Sequence, residues 1–171
     1  MGRSGRNWKK LDSKGTAGLA GGTEVLRGNY PARIDEKGRL KIPVPFKDVL
    51  DEKYDSDEFC VTSLDGQYVR IYPMEEWVPI EEKLARGGSF NQARRKFLDR
   101  MNYFGQIVKW DKPGRILIPT VLREAAEMKG NVAVLGNLTY LTVWNNDRYL
   151  AEIRNNPITP EDERVLDELG I

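Results

Sequence analysis

A segment of nine residues occurs twice in this chain, and that recurrence limits the fold more than any other feature. Asp35-Glu36-Lys37-Gly38-Arg39-Leu40-Lys41-Ile42-Pro43 aligns with Asp111-Lys112-Pro113-Gly114-Arg115-Ile116-Leu117-Ile118-Pro119, with Asp, Gly, Arg, Ile and Pro at identical offsets. The surroundings match as well. A short helical pattern follows each copy, at 46–50 and 122–128, and then come β-type segments at 59–62 and 68–72, answered by 132–135 and 140–144. Gly66 and Gly136-Asn137 supply the intervening turns, Tyr68 answers Tyr140, and Trp77 answers Tyr149. A unit of about 45 residues rarely buries enough apolar surface to fold alone. The two copies should therefore pack together as one pseudo-symmetric body. Its expected class is α+β and strand-rich, with short helices between the repeats.

The chain divides accordingly. Residues 1–25 read as a flexible basic arm, rich in Gly, Ser and Lys. Residues 26–79 and 106–150 hold the two repeats, 80–105 a helical link, and 151–171 a tail interrupted by Pro157 and Pro160. The link carries one stripe at Trp77, Ile80 and Leu84, with Pro79 tolerable only in a first turn. A second stripe, Phe90, Phe97, Met101 and Phe104, has helical spacing and Ser89 as its expected N-cap. Its polar side holds Arg94, Arg95, Lys96 and Arg100, read as a solvated face, a subunit interface or a DNA-flanking surface. Residues 161–169 are expected to form a short acidic helix.

Within each repeated motif the spacing reads as strand, tight turn, strand. Lys112-Pro113-Gly114-Arg115 places Pro at i+1 and Gly at i+2, which predicts a type II turn. Asp35 and Asp111, with Gly38, Pro113 and Gly114, are the turn-forming residues. Each aspartate can accept backbone N–H groups or pair with the arginine four residues on. Arg39 and Arg115 are then held near the turns. A planar guanidinium fork fits guanine O6 and N7 together, or a phosphate. The plainer alternative is a surface hairpin whose ion pair is worth about 0–1 kcal/mol.

Composition narrows the chemistry. The 171 residues contain no histidine and one cysteine, Cys60. Without histidine there is no Ser-His-Asp or Cys-His device, and the commonest metal ligand is missing. No enzyme, metal or cofactor is expected, and no small-molecule substrate. Cys60 lies in the apolar run Phe59-Cys60-Val61 and reads as a core thiol. Net charge is only +1, but it is segregated. A basic stretch (Arg27, Arg33, Lys37, Arg39, Lys41, Lys47) precedes an acidic one at 48–58, and local charge is what a polyanion meets. No apolar run has membrane length and the N-terminal lysines and arginines precede none, which predicts a cytoplasmic address.

Taken together, Leu26-Arg27-Gly28-Asn29-Tyr30, the two D-x-x-G-R motifs, Tyr72-Pro73-Met74-Glu75-Glu76-Trp77 and Ala93-Arg94-Arg95 resemble the MraZ family, from Leu26 to Tyr149. The resemblance implies two tandem SpoVT-AbrB-like swapped-hairpin β-barrel repeats and ring-like homo-oligomers. It implies a nucleoid-associated regulator, typically a repressor, of the division and cell-wall gene cluster. Its target would be double-stranded DNA, at short direct repeats upstream of its own gene. Arg39 and Arg115 are the DNA-binding arginines carried over. From charge, Arg33, Lys37, Lys41, Lys109 and Lys112 are expected to contact phosphate. The competing reading is an antitoxin-like or scaffold module that assembles without reading DNA sequence, with its acidic tail as the partner segment.

Overall fold

A computed structural model describes residues 25–171; the expected N-terminal arm lies almost wholly outside them. Among the described residues, eight strands and six helices follow one another in two parallel series. The first is β1 (Asn29–Arg33), β2 (Arg39–Lys41), α1 (Val44–Lys53), β3 (Glu58–Thr62), β4 (Val69–Pro73), α2 (Met74–Arg86) and α3 (Gln92–Phe104). The second is β5 (Gln106–Lys109), β6 (Arg115–Leu117), α4 (Thr120–Ala125), β7 (Asn131–Asn137), β8 (Tyr140–Asn145), α5 (Asn146–Asn155) and α6 (Pro160–Glu168). Each repeat thus runs strand, strand, helix, strand, strand, helix, helix.

The repeats exchange strands. Six strands form one antiparallel sheet in the order β1-β7-β8-β4-β3-β5, and β2 pairs with β6 in a separate two-stranded ribbon. Hence β1 of the first repeat lies on β7 of the second, and β5 of the second lies on β3 of the first. A pseudo-twofold axis passes between β4 and β8, where Arg70 faces Thr142, and through the ribbon, where Leu40 faces Ile116.

One core follows from that exchange. Leu40, Ile42, Phe46 and Leu50 from the first repeat meet Ile116, Ile118, Leu122 and Met128 from the second, beneath Val61, Ile71, Val134 and Val143 of the sheet. The isoleucines and leucines after each arginine alternate inward as a half-buried strand requires. Pro43 and Pro119 then cap α1 and α4, since a proline costs nothing where no helical N–H is needed. On the opposite face of the sheet, α2 and α3 cover the first half, with Cys60, Tyr72, Trp77 and Met101 in a second cluster. Burial pushes the Cys60 thiol up to about 12, so it behaves as core.

Three local expectations are corrected. The helix after the first link begins at Gln92, not near Ser89: the Asn91 side chain accepts the Arg94 N–H at 3.1 Å, a better-placed cap than serine. Phe90 consequently lies outside the helix and is almost fully exposed, while Phe97 and Met101 do the packing. Pro79 sits in the second turn of α2, not the first. The helix continues through it because Trp77 and Ile80 are held against the sheet by the second cluster.

Candidate nucleic-acid interface

Both D-x-x-G-R turns are built alike, but not as type II. The hydrogen bonds run from Gly38 N–H to the Asp35 carbonyl and from Gly114 N–H to the Asp111 carbonyl, each 2.9 Å. The turns are therefore Asp35–Gly38 and Asp111–Gly114, with glycine at i+3. Both glycines take positive φ, +81° and +83°, whereas Lys112 and Pro113 do not. Type II would need its positive φ one residue earlier, at a position that proline holds. The chain then closes each hairpin base with Asp35 N–H to the Arg39 carbonyl, 2.9 Å, and Asp111 N–H to the Arg115 carbonyl, 3.1 Å.

Each aspartate performs both expected roles. Asp35 Oδ1 accepts the N–H groups of Lys37 and Arg39 at 3.0 and 2.9 Å, and Oδ2 accepts Arg39 Nε at 2.8 Å. Asp111 Oδ1 accepts Arg115 N–H at 2.8 Å, and Oδ2 accepts Arg115 Nε at 2.6 Å. The residue equivalent to Lys37 is Pro113, which has no N–H, so the second carboxylate receives one bond fewer. The Arg39 N–H, foremost, holds the Asp35 carboxyl below the ordinary 3.8. At Asp111 desolvation pulls the other way, and the Arg115 N–H and guanidinium outweigh it. With Nε tied to the carboxylate, each guanidinium is oriented.

The ribbon brings the two turns together. Its register sets Arg39 opposite Leu117 and Lys41 opposite Arg115, either side of the buried Leu40–Ile116 pair. Alternation puts all four outer residues on one face, with cross-strand Cβ atoms about 5 Å apart. Three of the four are cationic. Arg39 and Arg115 stand at the bases of the turns, while Lys37 and Lys112 stand at the corners and are exposed. A two-stranded ribbon with its side chains fits a major groove about 12 Å wide.

The structure sorts the remaining candidates. Lys37, Lys41, Lys112 and Arg33 form no ion pair among the described residues, Arg33 at the end of edge strand β1 opposite Asn131. Lys109, its equivalent on β5, is drawn to Asp57 at 3.2 Å. The acidic stretch at the end of α1 and just after it is the reason: Asp51 and Asp57 line the cleft beside the second turn together with Lys47, Lys109 and Lys112.

Two residues that sequence reading did not assign to the site complete it. Arg123 of α4 reaches under the first turn, donating to the carbonyls of Lys37 and Ile118 at 3.4 Å. Lys47 of α1 lies under the second, where a Cβ on Gly114 would come 2.9 Å from its Cδ. Each helix thus supports the other repeat's turn. The signal was in the repeat: Lys47 and Arg123 each stand four residues after the motif proline.

Fold and ribbon define a class, that of duplicated, strand-exchanged α+β proteins presenting twin arginine turns. A family model of MraZ proteins, described as antitoxin-like, matches residues 25–100 and again 106–169. Relatives called transcriptional regulator MraZ align with most of the chain. That of Koribacter versatilis is 51% identical and that of Acidobacterium capsulatum 48%, each over 147 residues covering 86% of this chain and all of the relative. A third, from Syntrophobacter fumaroxidans, is 35% identical over 78% of this chain and 87% of its own length. The chain belongs to the MraZ family, and the two matched stretches bear out the tandem repeat.

Proposed function

We propose that the chain is a sequence-specific DNA-binding transcriptional regulator, and that the β2–β6 ribbon enters the major groove. The observation that carries this is the register that places Arg39, Lys41 and Arg115 on one exposed face. The carboxylate at each arginine offsets much of its charge and fixes its orientation. That arrangement suits base edges, where geometry counts, better than phosphate, where charge counts. Lys37, Lys41, Lys112 and Arg33 supply the phosphate contacts. Names of the relatives support regulation rather than catalysis, and a cytoplasmic, nucleoid-associated place follows from such a role.

The finer reading is repression of the division and cell-wall cluster through short direct repeats upstream of the chain's own gene, by a ring-like homo-oligomer. Identical subunits in a ring present their ribbons with one polarity, which matches direct repeats, and several weak contacts gain through effective concentration.

Anisotropy of a labelled duplex from upstream of the gene, across a salt series, tests the reading. Arg39→Ala with Arg115→Ala should lose about 1–3 kcal/mol per base contact and the preference over a shuffled duplex, with assembly intact. Equal binding to both duplexes by the unaltered protein would instead favour the assembly-only module.

A further inference from the structure

The pseudo-twofold symmetry of the sheet is broken on its outer face. In the first half, α3 folds back over β3 and β4. Phe97 and Met101 pack on Tyr72 and Trp77, and the Thr62 hydroxyl donates to the Met101 carbonyl at 2.8 Å. The equivalent seat in the second half is open. Arg70 and Thr142 face each other on the axis, so their neighbours Thr62 and Leu135 are equivalent. Where Met101 lies against Thr62, a cavity of about 260 Å³ lies against Leu135, with Gly136, Tyr140, Trp144 and Tyr149 in its walls.

The second repeat also has the matching helix, but it stands away. No residue of α6 is buried, and Pro157 and Pro160 stiffen the link that would have to reverse. Counted from the N-caps Asn91 and Thr159, Val165, Leu166 and Leu169 occupy the places of Phe97, Leu98 and Met101. Val165 is 49% exposed and Leu169 70%. Charge adds a second argument. At the centre of the open face, the half-buried Arg70 guanidinium donates to the Tyr68 hydroxyl at 2.6 and 3.0 Å and to the Tyr72 hydroxyl at 3.3 Å. It has no carboxylate partner among the described residues, so a carboxylate brought to it would add a charge-assisted hydrogen bond. Helix α6 carries Glu161, Asp162, Glu163, Asp167 and Glu168 against Arg164 alone.

We propose that α6 of one copy seats on the open half of the outer sheet face of a second copy, its Val165–Leu169 stripe filling the cavity at Leu135 and Trp144. The first repeat shows the seating within one chain; the second completes it between chains. The inference rests on the reading that the protein works as an oligomer, and is independent of what the ribbon binds.

Sedimentation of the full chain and disulfide trapping test it together. The unaltered protein should sediment as an assembly, and Val165→Asp with Leu169→Asp should fall toward the 19.6 kDa of one chain with an unchanged circular dichroism spectrum. Chains carrying Leu135→Cys, mixed with chains carrying Leu169→Cys and oxidised, should give a reducible dimer band; Cys60 is buried and does not compete. An assembly that survives the aspartates, or no band in the mixture, overturns the proposal and leaves the oligomer reading standing. A double-cysteine chain that closes on itself as a monomer also overturns it. A monomeric unaltered protein overturns both.

Discussion

The smallest unit that decides this site is the aspartate four residues before each arginine. Its carboxylate gathers backbone N–H groups and Nε into one geometry, and both aspartates titrate below the ordinary 3.8. A lowered folded value means that the unfolded chain takes up the proton first. The stabilisation is therefore fully present above the ordinary value and is lost as pH falls below it and through the lowered folded value. Urea midpoints followed from about pH 5 to pH 2 should decline less steeply in Asp35→Asn with Asp111→Asn than in the unaltered protein; an identical decline would show that the pairs add nothing. The glycines are equally specific. At φ near +80° an added Cβ is strained, and at Gly38 it would also displace the Arg123 guanidinium. Gly38→Ala and Gly114→Ala should each cost roughly 1–2 kcal/mol in denaturant unfolding, against almost nothing for Gly88→Ala, which has a negative φ and open space.

At the scale of elements, the ribbon acts through its register. Leu40 and Ile116 are fully buried on the axis, each contributing about 1.5–3 kcal/mol by burial, and they fix which residues face outward. A slip by one residue would turn the cations inward. The four outer positions are three cations and Leu117, which is 44% exposed. Leu117→Lys completes the set, and should steepen the dependence of log K on log salt by about 0.9 for duplex DNA without changing stability greatly. An unchanged slope would mean that this face does not meet the phosphates. The helices behave differently from the strands. The sequence reading gives no helix at α5, and α3 and α6, both expected as helices, end up packed in one case and free in the other.

The whole molecule is one exchanged body. Only β3–β4 and β7–β8 pair within a repeat; because β1 needs β7, β5 needs β3 and β2 needs β6, each repeat lacks partners for its other two strands. Fragments 25–90 and 91–171 expressed separately should lack a cooperative unfolding transition, and should regain one on mixing. A cooperative transition in either fragment alone would contradict the exchange. The same topology explains why both turns arrive on one face although 76 positions separate Asp35 from Asp111, and why each turn rests on a helix from the other repeat.

Much of this was legible in the chain itself. The repeated motif carried the duplication, the strand–turn–strand hairpins, the aspartate–arginine pairs and the pattern of buried isoleucines, because local spacing and side-chain chemistry act within a few residues. The frame of the turns lies one residue from the one that Pro-Gly suggests, since Pro-Gly satisfies a type II turn in isolation while the hairpin closure demands glycine at i+3. What the sequence could not express was pairing across the duplication. Which strand lies beside which, that Leu117 faces Arg39, that Arg123 supports the first turn and Asp57 draws off Lys109, all depend on contacts between segments far apart in the chain. Those are selected by burying one shared core, a quantity that belongs to the assembled repeats and to neither alone.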